Sequence, residues 1–70
     1  MSILKAETLF KKKNYLEAME ICEGLIEAEP ANAEAAFLSG QISLVTKNWN
    51  AAEYFFEYTL SIDQNFIKCH

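Results

Sequence analysis

Seventy residues enclose only one small core, because a chain this short buries about 60% of the surface its unfolded form exposes. With 51% hydrophobic residues it is too apolar for a disordered segment, yet no apolar run approaches the ~20 residues that cross a bilayer. Six lysines and no arginine stand against ten carboxylates, for a net charge of −4, which argues against forked phosphate recognition and a basic nucleic-acid stripe.

The chain opens Met1-Ser2-Ile3-Leu4-Lys5-Ala6-Glu7. Charge interrupts the apolar residues at once, so neither a signal peptide nor a myristoylation motif is visible, and a cytoplasmic location is the default expectation. A first helix is predicted over 2–12, and Lys11-Lys12-Lys13 suit its C-terminal end, where cations favour the negative pole of the helix dipole. Asn14 follows as a candidate N-cap, with Glu17 placed as its capping-box carboxylate. Over 15–28, Tyr15, Ala18, Cys22, Leu25 and Ile26 recur at spacings of three, four, three and one, which marks one apolar helical face. Pro30 stops that helix near Ala28, and Asn32 is placed to cap the next, predicted over 33–46. Asn48 precedes a fourth helix, 49–62, in which Trp49, Ala52, Phe56, Thr59 and Leu60 repeat the spacings of the second. Ala51 occupies the place of its capping-box carboxylate, so this cap is expected to be the weaker. Phe66 and Ile67 read as the start of a further helix. Nothing shows the alternation of strands, so the expected class is all-α.

Chemistry-bearing residues are sparse. Cys22 reads as a buried thiol within an amphipathic stretch, and with Cys69 next to the terminus the pair makes a poor disulfide framework. Cys69-His70 falls short of the three or four convergent ligands that a first-row ion wants, so no metal is expected, nor any cofactor. One histidine, only Gly24 and Gly40 as glycines, and no phosphate loop leave nothing to assemble a catalytic site. Glutamate pairs such as Glu20-Glu23 and Glu23-Glu27 belong to a solvated helix face, and no enzyme activity is expected of this chain.

Sliding the chain against itself gives a register at 34 residues. It aligns Lys13-Asn14-Tyr15 with Lys47-Asn48-Trp49, Leu4 with Leu38, Ala6 with Gly40, Ala18 with Ala52, Glu23 with Glu57, Ile26 with Leu60, and Glu29 with Asp63. In the second unit Gly40, Trp49 and the Ala52-x3-Phe56 pair, and in the first Ala6, Tyr15, Ala18, Cys22 and Pro30, together resemble the tetratricopeptide repeat family. The resemblance implies antiparallel helix-turn-helix hairpins stacked as a short right-handed solenoid within a single domain, 1–70, with repeats at about 1–32 and 33–66 and a third beginning at 67–70. It also implies that small Ala6 or Gly40 admits the paired helix, that Ala18 or Ala52 faces it closely, and that the aromatics fill the wedge between hairpins. Ala36, Ser39, Ser43 and Gln64 depart from the family pattern, where a large aromatic, leucine, tyrosine and proline are usual.

Carried over from the family, the first helix of each repeat lines a concave wall that binds a protein or peptide. Its candidates here are Ile3, Glu7 and Phe10, then Glu34, Phe37, Leu38, Gln41, Leu44 and Val45. The carboxylate clamp of a subset of the family is not expected, because its places hold Ile3, Glu7 and Leu38, with only Lys68 suitable. Tyr54, Phe55, Tyr58, Ile62 and Phe66 form a candidate self-association face at the end of the array. The expected function is a non-catalytic interaction scaffold. The alternatives are a self-associating repeat unit, or the docking arm of a larger enzyme or secretion/assembly protein. No nucleic acid and no membrane insertion are expected.

Overall fold

Over residues 3–65, which the computed structural model describes, the chain forms four α-helices: α1 (Ile3–Lys11), α2 (Tyr15–Ala28), α3 (Ala33–Val45) and α4 (Trp49–Ile62). No strand occurs among the described residues. The helices α2 and α4 coincide with the expected spans, and α3 ends one residue early at Val45. The proposed start of a third repeat, 67–70, lies outside the described residues.

Two tight turns of the same build close the α1–α2 and α3–α4 connections. Lys13 and Lys47 both adopt left-handed backbone, φ 66° and 63°. The Lys13 amide donates to the Phe10 carbonyl at 3.0 Å and the Asn14 amide to that of Leu9 at 2.8 Å. In the second turn Lys47 donates to Leu44 at 3.1 Å and Asn48 to Ser43 at 2.8 Å. These are Schellman turns, which satisfy the last carbonyls of a helix through backbone alone.

That geometry corrects the reading of Asn14 and Asn48. Both stand immediately before a helix as expected, but neither side chain makes a capping bond. The Asn14 amide that a capping box with Glu17 would use is already held by Leu9, so no such box closes. Asn32 does cap: its side-chain oxygen accepts from the Ala35 amide at 3.0 Å. The ends of α2 and α4 also match, since Glu29 (φ −143°, ψ 88°) and Asp63 (φ −145°, ψ 103°) have the same extended backbone. The 34-residue register is therefore present in the backbone, at both kinds of turn.

Packing runs in sequence order. The pairs α1–α2 and α3–α4 are joined by packing of α2 on α3, α1 touches α3 more lightly, and α1 and α4 form no comparable contact. Ala18 and Ala52 are both buried, and the face of Tyr15, Ala18, Cys22, Leu25 and Ile26 turns inward as periodicity predicts. A cluster of Ala6, Ala18, Cys22, Leu38 and Ile42 forms the core, with Ile3, Leu9, Phe10, Tyr15, Met19 and Ile21 packed against it.

The central position of α3 accounts for its many small residues. Ala35, Ala36, Leu38, Ser39, Gly40, Ile42 and Ser43 are all buried, so α3 is enclosed on nearly every side and carries small residues where helices approach. A Cβ on Gly40 would lie 2.5 Å from a ring carbon of Phe56, whose ring packs on Phe37 with centroids 5.8 Å apart. Burial of hydroxyls here costs little, because each turns back to its own helix. Ser39 donates to the Ala35 carbonyl at 2.8 Å, Ser43 to that of Ser39 at 2.9 Å, and on α4 Thr59 to that of Phe55 at 2.8 Å. Among the described residues no buried side-chain nitrogen or oxygen lacks a partner.

Candidate functional site

On α3, the residues that escape burial make one stripe. Glu34, Leu44 and Val45 are exposed and Phe37 and Gln41 half-buried, which gives spacings of three, four and three along one side of an otherwise enclosed helix. On α1, Ile3, Glu7 and Phe10 follow the same spacing and are half-buried. They lie one repeat before Phe37, Gln41 and Leu44, so the two helices carry matched stripes. Leu38 does not belong to this surface. It is 5% exposed and sits in the core between α2 and α3.

The stripe residues differ in how firmly they are held. Phe10 stacks obliquely on Tyr15, centroids 5.7 Å apart, and Phe37 leans on Phe56, so each keeps one face toward the protein. Ile3 and Glu34 meet across a shallow groove shared with Leu25, Ala28, Glu29 and Asn32, of about 420 Å³. Leu44 and Val45, 44% and 47% exposed, are the stripe's most accessible apolar groups. The arrangement presents apolar contact area interrupted by Glu7, Gln41 and Glu34, a composition suited to an amphipathic segment.

Along α4 the placement departs from the expected end face. Tyr54 is exposed, but Phe55, Tyr58 and Ile62 are half-buried. Phe55 and Tyr58 line a groove with Glu23, Ile26 and Glu27 of α2, and the Tyr58 hydroxyl donates to the Pro30 carbonyl. Tyr54 joins them edge-on, 5.2 Å from Phe55 and 6.1 Å from Tyr58 between centroids. Phe66 lies outside the described residues. Trp49 is the aromatic the sequence reading misplaced: expected in the wedge between hairpins, it is 60% exposed. Its counterpart Tyr15 is half-buried, lining a groove with Ile42 of α3 and its C-cap Thr46, whereas α4 has no described helix in the equivalent place.

Cys22 is a free, fully buried thiol. Burial pushes its pKa up, a hydrogen bond with the Ser39 side chain partly offsets this, and the charges of Glu23 and Glu7 add to the rise. It is thereby held as a neutral thiol at the α2–α3 seam, the opposite of an activated nucleophile. Among the described residues no group of three His, Cys, Asp or Glu side chains converges as for a metal ion, and Cys69-His70 lies outside them. No described helix is long and apolar enough to cross a membrane. Comparison with protein-family models, with curated proteins and with solved structures finds no match to this chain.

Proposed function

We propose that this chain is a non-catalytic interaction module of tetratricopeptide type, which binds a protein or peptide segment along the adjoining open stripes of α1 and α3. The observation that carries this reading is the matched pair of stripes: Ile3, Glu7 and Phe10 on one helix, Phe37, Gln41 and Leu44 on the next, one repeat apart in a chain whose turns also repeat. An ordinary four-helix bundle would bring the first and last helices together. Here α1 packs on α2 and α3 but not comparably on α4, which favours stacked hairpins with an open side. Such a module acts by presenting a rigid helical wall, on which a partner's apolar side chains displace water while Glu7, Glu34 and Gln41 set register.

The test is a peptide selection against the intact chain, followed by calorimetry on variants. Selected peptides are expected to bind Leu44→Glu and Glu34→Lys at least about tenfold more weakly than the wild type, a loss of ~1.4 kcal/mol. Helicity by circular dichroism should stay unchanged, because both side chains are exposed. Peptides whose affinity is indifferent to both substitutions, with amide shifts mapping away from α1 and α3, would remove the reading.

A further inference from the structure

We infer that copies of this chain stack head to tail, the α1 face of one copy docking on the α4 face of the next as α3 docks on α2 within the chain. The inference rests on the repeat register and not on the peptide-binding reading. Within the chain, Tyr15, Leu16 and Met19 line one groove at the α2–α3 seam with Ile42 and Thr46, where Ile42 is buried and Tyr15 and Met19 are half-buried. Moving each residue of that groove by one repeat, forward from α2 and back from α3 and its C-cap Thr46, gives Trp49, Asn50 and Glu53 on α4, Thr8 on α1 and Lys12 just past its end. All five are exposed. The same shift turns the core residue Leu38 into Leu4, which is 67% exposed, and Ser39 into exposed Lys5.

The two open faces are complementary in charge. The α1 face offers Lys5 and Lys12, and the α4 face offers Glu53 with Glu57 one turn on, all four exposed. Met19 and Thr46 line one groove, and the same shift carries them to Glu53 and Lys12, so docking of the copies brings these opposite charges into one groove. Trp49, the only tryptophan, lies beside that pair as the apolar anchor and as a cation-binding ring for Lys12. Polar residues replace Met19 and Ile42 of the internal seam, so the contact between copies is reversible and salt-sensitive. Because the two faces differ, the contact does not close on itself and adds copies one after another.

Sedimentation across a dilution series from low micromolar to millimolar at low salt tests this. The mean mass is expected to climb past the dimer without a plateau, Trp49 emission to shift to the blue as it does so, and added salt to reverse both. Glu53→Lys and Lys12→Glu should each stay monomeric alone and assemble when mixed, since in the mixture every head meets a tail of opposite charge. A monomer throughout, a mass that stops at the dimer, or association untouched by Lys12→Glu overturns the inference. Peptide binding by Glu53→Lys then checks the α1–α3 stripes separately, because Glu53 is on neither.

Discussion

Gly40 shows how a single hydrogen in place of a side chain sets the spacing of two helices. Replacing glycine by alanine inside a helix ordinarily stabilises it by about 0.5–1 kcal/mol. At Gly40 the new methyl would meet the Phe56 ring at 2.5 Å, and forcing a packed ring aside costs about 1–3 kcal/mol, so the clash wins. Gly40→Ala is therefore expected to lower the melting temperature by several degrees. The first hairpin solves the same problem with the opposite choice, Ala6 on one helix and Cys22 on the other, both fully buried in one cluster. Gly40→Ala combined with Phe56→Cys reproduces that pair in the second hairpin. The double variant is expected to lose less stability in urea than the two single losses summed, and strict additivity would show that Gly40 and Phe56 do not share the space.

At the scale of elements, the two Schellman turns carry a stored cost that a sequence change can release. A lysine in left-handed backbone costs about 1–2 kcal/mol, while glycine pays no steric penalty there and loses somewhat more freedom on folding. Lys47→Gly is accordingly expected to stabilise the chain by about 0.5–1 kcal/mol, read as a higher urea midpoint with an unchanged slope. The three asparagines before helices should separate in the same assay. Asn32→Ala loses a side-chain cap and about 1 kcal/mol, whereas Asn14→Ala and Asn48→Ala, whose side chains bond to no helix amide, stay within about 0.5 kcal/mol of the wild type. Equal losses at all three would mean that the position, and not the bond, is what matters.

For the molecule as a whole, stability resides in close approach more than in bulk. Among the described residues the largest fully buried side chains are Thr59, Cys22, Ser39 and Ser43, so the core gains by dispersion between closely packed backbones and small groups. Cys22 sits fully buried where the two hairpins meet, in one cluster with Leu38 and Ile42 of α3. In a Cys69→Ser background, labelling of Cys22 across a urea series is expected to follow the loss of helicity with one midpoint, because neither hairpin keeps its inner face covered once the seam opens. Labelling that completes while helicity persists would show hairpins that part before they unfold.

Local chemistry determined much of this protein directly from its sequence. Periodicity placed α2 and α4, Pro30 ended α2, Asn32 marked the start of α3, and the inward set Ala18, Cys22, Leu25 and Ala52 followed from spacing alone. The candidate stripe was legible at Glu7, Phe37, Gln41 and Leu44, but Leu38 was drawn into it because a large apolar residue on a helix with neighbours on several sides carries no directional signal. Tertiary structure alone decided that α3 is the central helix, that Phe55 and Tyr58 turn toward α2 while Trp49 stands open, and that Lys13 and Lys47 accept left-handed backbone. A helix surrounded by others loses the polar face from which orientation is read, and a lysine announces no special backbone angle as a glycine would. Both outcomes depend on which neighbours arrive, and that is a property of the assembled chain.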